Sequence, residues 1–246
     1  MKNTNNLYVT QLLNFERMKK LSVIFMLCLF CLTTAFAQSS KSGLSFQFGA
    51  ILPSAQFDEP PSLSWVLPNA LEYDFSNAGG AMLGASFGIK YTYTFKKTAL
   101  ENSGLGVFIS ADGMWNALQK DIRNEYDKLN LTKPMYVNIP IMVGVNYTTQ
   151  FSKVFGLWAE AGIGADLLIK TPEGFEDNLV NYKLSAEFAV EAGAGIILAR
   201  TVSLGAHYYW MGNHDIFMKT NSVHPVLNQP TSMKVGVWAF KLGFHF

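Results

Sequence analysis

The chain reads as all-β, an eight-stranded antiparallel transmembrane β-barrel of the up-and-down kind. Three observations carry this reading. Eight segments place a large apolar residue at every second position. The faces opposite those residues hold Lys, Glu and Asp near the segment centres. The connections between segments alternate long and short. A repeat of two is the signature of a strand with two different faces, and it is incompatible with a helix. An apolar outside, a polar inside, and short turns on one rim against long loops on the other describe an outer-membrane barrel.

The first segment, Gly43–Ile51, sets Leu44, Phe46, Phe48 and Ala50 against Ser45, Gln47 and Gly49. The second, Ala81–Phe95, sets Leu83, Phe87, Ile89, Tyr91, Tyr93 and Phe95 against Gly84, Ser86, Gly88 and Lys90. In the third, Gly104–Asn116, Leu105, Val107, Ile109 and Trp115 oppose Phe108, Ser110, Asp112 and Asn116. The fourth, Met135–Thr148, opposes Val137, Ile139, Ile141, Val143 and Tyr147 to Tyr136, Asn138, Pro140 and Asn146. The fifth, Val154–Lys170, opposes Phe155, Leu157, Ile163 and Ile169 to Glu160, Gly162, Gly164 and Asp166. The sixth, Tyr182–Leu198, opposes Leu184, Phe188 and Val190 to Ser185, Glu187, Glu191 and Gly193. The seventh, Val202–Met211, opposes Leu204, Tyr208 and Trp210 to Ser203, Gly205 and His207. The last runs to the end of the chain, with Trp238, Phe240, Leu242, Phe244 and Phe246 against Ala239, Lys241, Gly243 and His245.

Residues 52–80, 117–134, 171–181 and 212–232 are the long connections; 96–103, 149–153 and 199–201 are the short ones. The pattern predicts periplasmic turns, external loops and both termini in the periplasm. Tyr93, Phe95, Tyr147, Phe155, Phe244 and Phe246 are then expected near the periplasmic interface. Trp115, Tyr182, Trp210 and Trp238 are expected near the outer one, giving two aromatic girdles. Residues 117–134 suit a short helix capping the barrel with its charges outward. The loop apolar residues Leu63, Trp65, Val66 and Leu71 are expected to pack loop on loop, with a partner surface as the alternative.

Residues 18–37 have the form of a secretory signal peptide: Lys19 and Lys20, an apolar run from Leu21 to Leu32, then Ala35-Phe-Ala37 as a cleavage signal. Residues 1–17 precede a complete signal and are expected to be a mis-assigned start. The barrel domain is 38–246. Both cysteines, Cys28 and Cys31, fall in the signal, so the domain has no disulfide, thiolate ligand or thiol nucleophile. Removing residues 1–37 takes away Lys2, Arg17, Lys19, Lys20 and Glu16, leaving fifteen basic against seventeen acidic residues, a net charge of −2. That balance excludes nucleic acid as a partner, which demands a basic stripe.

An eight-stranded barrel is only wide enough for side chains to fill it. Lys90, Lys241, Asp112, Glu160, Asp166, Glu187, Glu191, Asn138 and His207 are expected to point inward and pair, forming a polar plug and not a diffusion pore. The inward glycines make room for the long side chains. His214-Asp215, assigned to the last long loop, has the residue types of an acid–base pair, but solvated loop polarity is the expectation. His207 with Glu187 or Glu191 and Ser203 or Ser185 imitates a hydrolase triad at a frequency chance would supply. His207, His214, His224 and His245 have no metal-ligand spacing. No catalytic, cofactor-binding or metal residue is therefore assigned, and no enzymatic activity is expected.

Gly49-Ala-Ile-Leu-Pro53, the signal peptide, and above all Tyr136-Val-Asn-Ile-Pro140-Ile resemble the PorT-like outer-membrane β-barrel family of Bacteroidota-type bacteria. The resemblance covers most of 38–246. It implies that Tyr136 to Pro140 opens a central strand and that a terminal aromatic is ordinary. It also implies a link to protein secretion through the founding member, and no catalytic residues. The expected partners are outer-membrane lipid and lipopolysaccharide, the barrel-assembly machinery through the C-terminal strand, and a secretion or envelope protein. Two alternatives stand beside this. One is an outer-membrane enzyme acting on lipid or peptide at the extracellular rim. The other is a soluble periplasmic ligand-binding barrel, with its apolar face turned inward. Mass spectrometry of the protein from its host should find its N-terminus at Gln38 and no peptide from residues 1–17; a peptide from 1–17 would overturn the assigned start at Met18.

Overall fold

The computed structural model describes residues 42–60, 62–67, 70–74, 78–97, 104–128, 130–152, 154–175, 178–216, 218–219 and 231–246. The segments 1–17 and 18–37, His224, and the side chains of Leu63, Trp65, Val66 and Leu71 lie outside this description. The barrel strands are β1 (Ser42–Ser54), β2 (Ala81–Lys97), β3 (Gly104–Leu118), β4 (Met135–Gln150), β5 (Phe155–Lys170), β6 (Ser185–Leu198), β7 (Val202–Ile216) and β8 (Thr231–His245). Each pairs antiparallel with its chain neighbour, and β1 also pairs with β8 from Ser45↔His245 to Ser54↔Gly236, closing the ring. A helix, α1 (Lys120–Lys128), sits between β3 and β4.

The predicted faces hold throughout the central wall. Along β3 burial alternates strictly over its first nine residues, with Phe108, Ser110 and Asp112 buried and Leu105, Val107 and Ile109 exposed. The outer wall is a belt of large apolar side chains, among them Leu83 (55% exposed), Phe95 (53%) and Phe188 (53%). The fully buried positions include Asp112, Glu160, Asp166, Lys90 and Lys241. A barrel with an apolar lumen would show the reverse facing.

The two ends differ. Leu198 and Thr201 bracket a two-residue turn in which Ala199 (φ 48°) and Arg200 (φ 64°) are both left-handed, the twist-matched geometry of a tight hairpin. At the long-loop end the loops fold inward as a cap. Ile122 and Tyr126, one helical turn apart on α1, are buried, while Lys128 pairs with Glu125 on the outside. The short 3₁₀ turn Ala55–Phe57 buries Phe57 edge-on against Tyr136, with ring centroids 5.2 Å apart. Backbone bonds from Gln119 to Gly80 and from Gly79 to Gln56 tie the two loops together.

Three expectations need correction. The seventh strand does not end at Met211; it continues to Ile216. Its register against β8 slips by one residue between Trp210 and Asn213, a β-bulge at which Gly212 takes φ +75°. The slip reverses the alternation, so His214 turns inward and is fully buried, while Asp215 faces out. The sixth strand begins at Ser185, because Asn178–Tyr182 pairs instead with Glu173–Phe175 and Met218–Lys219 in a small sheet of its own. Tyr182 is therefore not part of an aromatic girdle. It is buried, with Lys170 Nζ 4.3 Å from its ring centroid.

Gly212→Val should break the bulge. A Cβ there would lie 2.9 Å from the carbonyl oxygen of Phe188, and the positive φ is costly for a branched residue. The expected loss is about 1–3 kcal/mol, read as a lower unfolding midpoint in detergent by heat-modifiable gel mobility. An unchanged midpoint would mean the bulge is not needed.

Candidate functional site

The lumen holds a belt of ionisable groups at mid-height. Lys90 on β2 reaches across to Glu160 on β5, with Nζ 2.9 Å from Oε1 and 2.6 Å from Oε2. Lys241 on β8 donates to Oδ1 of Asp112 on β3 at 2.6 Å and to the Tyr209 hydroxyl at 2.7 Å. Tyr209 in turn donates to Oδ2 of Asp112 at 3.2 Å. The bonds of Lys90 to Glu160 and of Lys241 and Tyr209 to Asp112 join strands that are not neighbours in the ring, so they span the lumen and knit opposite walls. The expected pairing of inward charges is observed for Lys90 with Glu160 and Lys241 with Asp112; Asn138 is buried with neither amide atom hydrogen-bonded among the described residues.

Glycines give the belt its room. In register, Gly193 lies between Glu160 and His207, and Gly162 lies opposite Glu191. Gly195 and Gly205 are paired and lie under the indole of Trp158. A Cβ at 195 would fall 2.8 Å from Trp158 Nε1, and one at 205 would fall 2.9 Å from its Cη2. The indole packs on the imidazole of His207, centroids 5.1 Å apart, and faces Lys90 Nζ at 5.3 Å. Each long residue leans over a glycine of the next strand, a checkerboard that no single strand's sequence reveals.

Below the belt, at the short-turn end, a polar vestibule of about 290 Å³ opens to solvent. Thr92, Thr94, Asn146, Thr148, Gln150, Ser203 and His245 line it, together with Lys90, Trp158 and Glu160 of the belt. The charged belt is therefore reachable from this end. From the other end it is covered by the cap residues Phe57, Leu118, Ile122, Tyr126 and Tyr136, all buried.

A second constellation sits nearer the cap. His214 Nδ1 is 3.1 Å from the Ser185 hydroxyl, and its Nε2 is 3.1 Å from Asp166 Oδ2. In the sequence His214 adjoins Asp215, and Ser185 is a candidate partner of His207; the bulge in β7 brings Ser185, His214 and Asp166 together instead. These are the residue types of a hydrolase triad. Yet Ser185 is only 8% exposed, and His214 and Asp166 are fully buried. An acyl carbon must approach a nucleophilic hydroxyl to within about 3 Å, and this hydroxyl has no such access. The three read as a buried structural cluster. Asp215 faces outward and His245 lies in the vestibule wall, apart from both clusters. Glu187 pairs in register with Asp166 but is only half-buried.

No family model and no curated protein matches the chain. Among solved structures it is similar to Ail, the attachment invasion locus protein of Yersinia pestis, at 13% identity and a TM-score of 0.43, covering 84% of this chain and 98% of that one. It is also similar to neisserial surface protein A (10%, TM-score 0.46, 84% and 96%) and to the outer membrane protein OprG from Pseudomonas aeruginosa (13%, TM-score 0.44, 84% and 96%). At this level the likeness is one of shape and assigns no role.

Lys241→Met should leave Asp112 buried without its cation and destabilise the barrel by about 3–5 kcal/mol. Lys241→Met combined with Asp112→Leu should recover most of that loss. Urea unfolding followed by heat-modifiable mobility measures both; a single variant as stable as the parent would show that the bridge contributes little.

Proposed function

We propose that this chain is an integral outer-membrane barrel with a plugged lumen and a non-enzymatic structural, binding or secretion-accessory role. One observation carries the proposal: the wall is inverted relative to a soluble protein, with large apolar side chains exposed around it and Lys–carboxylate pairs buried within. Burial of such a wall in lipid satisfies both faces, because each strand of the closed ring pairs with a neighbour on both sides. The short-turn end, with its vestibule, faces the periplasm in this reading, and both termini lie there. Lipid and lipopolysaccharide surround the wall. The last strand, Thr231–His245, followed by Phe246, is the element the assembly machinery engages.

The side chains filling the belt support a closed lumen over a diffusion pore. The PorT-like resemblance, with Tyr136 buried at the head of β4 and Pro140 facing inward, supports an accessory role in secretion across the outer membrane. An envelope protein docking at one rim is the partner such a role requires. Enzymatic action at the rim gains no support from the buried Ser185, His214 and Asp166.

Sucrose-gradient fractionation should recover the protein with outer-membrane markers, in a heat-modifiable form. Recovery from the soluble periplasm would overturn the membrane reading. Reconstituted in planar bilayers, it should give no stable open conductance; a large steady current would overturn the plugged lumen. Pull-down of the intact complex from detergent tests for the envelope partner.

A further inference from the structure

We propose that Glu160, Glu191 and His207 form a site for one divalent transition-metal ion of the zinc class, entered from the vestibule at the short-turn end. One ligand atom from each residue lies within 4.8 Å of the others, and the three come from the adjacent strands β5, β6 and β7. All three are buried, and Glu160 also lines the vestibule, so an ion has a path to the site.

Four observations converge on a cation site. Glu191 and His207 are each 1% exposed, yet Glu191 Oε1 and His207 Nδ1 have no hydrogen-bond partner among the described residues. Buried polar atoms are rarely left so unless something else satisfies them. Next, His207 Nδ1 stands 3.3 Å from Glu160 Oε1 without the alignment of a hydrogen bond. Two ligands held at roughly 2.0 Å by a tetrahedral ion are spaced by roughly 3.3 Å. Then there is the space. A Cβ at Gly193 would fall 2.6 Å from His207 Nδ1, and one at Gly162 would fall 3.0 Å from Glu191 Oε1. Only glycine at these two positions leaves the ligand atoms the room they occupy.

The fourth observation is charge. Lys90 is committed to Glu160 and Lys241 to Asp112. Glu191 belongs to neither pair; Lys241 and the Tyr209 hydroxyl lie near it, but it makes no ion pair of its own among the described residues, and a buried carboxylate so placed favours a further cation. Lys90 makes its shorter bond to Oε2 of Glu160 and so orients Oε1 toward His207, as an outer partner orients a metal ligand. One imidazole and two carboxylates suit Zn²⁺, and Co²⁺ in its place, better than the all-oxygen preference of Ca²⁺ or Mg²⁺. A water from the vestibule completes the coordination.

The experiment uses the untagged full chain, extracted from outer membranes in detergent and stripped with a chelator. Titrated with Co²⁺, it should take up one equivalent, give the visible absorption of tetrahedral Co²⁺, and quench the fluorescence of Trp158, whose ring packs on His207; excess Zn²⁺ should reverse all three. Binding should weaken from pH 7 to pH 5, because the ligands must be deprotonated. Glu191→Gln and His207→Asn should each lower affinity about tenfold or more, while Glu187→Gln should leave it unchanged. Folded parent protein that takes up no Co²⁺ or Zn²⁺ at millimolar concentration overturns the proposal. So does equal affinity in the folded Glu191→Gln and His207→Asn variants. If those variants fail to fold, the stoichiometry and spectrum of the parent decide alone.

Discussion

Pairing of β1 with β8, from Ser45↔His245 to Ser54↔Gly236, removes the last open edge of the sheet. Once the ring is closed every strand has two neighbours, and each side chain has only two destinations, lumen or surroundings. Alternation along eight strands then sorts the whole composition. Leu83, Phe95, Ile163 and Phe240 go outside; Lys90, Asp112, Glu160 and Lys241 go inside. The circumference of eight strands makes the lumen narrow, so the inward groups must satisfy one another.

That narrowness accounts for the glycines. Trp158 fits only because positions 195 and 205 have no side chain, and Glu160 and His207 approach each other across Gly193. The belt is thus a packing solution as well as an electrostatic one. Lys90 and Lys241 each cross the lumen to a carboxylate on a distant strand, so the plug braces the wall against collapse or slip. Pairs of this kind are costly to break on one side even where their net contribution is small, since breaking one strands a buried charge. Glu191 stands outside the two Lys pairs, beside Lys241 and the Tyr209 hydroxyl.

The two ends of the barrel follow different rules. Tight turns such as Ala199-Arg200 leave the short-turn end open as a vestibule, while the long loops fold over the other mouth with Phe57, Ile122 and Tyr126 inward. The bulge at Gly212 belongs to the same end. It lengthens β7 past Met211 and turns His214 into the space beneath the cap, where Asp166 and Ser185 receive it. Access to the charged belt is therefore one-sided.

Fold class, strand number, face of each central residue and the long–short order of the loops were legible in the amino-acid pattern, because a period of two is a local property that closure only completes. A short helix within residues 117–134 was legible from the run of charged residues there, and it spans Lys120–Lys128. Partnership was not. That Lys90 meets Glu160 and Lys241 meets Asp112 depends on strand tilt across non-neighbouring strands, and that Glu160, Glu191 and His207 converge depends on the register of three adjacent ones. His214 was misplaced because one bulged glycine inverts the alternation after it, and a Met-Gly pair does not announce a bulge. Tyr182 was misplaced because the loop forms a small sheet of its own. The alternation set the facing of the central residues, because that is local; the closed ring set which of them meet, because contacts across the lumen and between adjacent strands depend on register and on bulges such as that at Gly212.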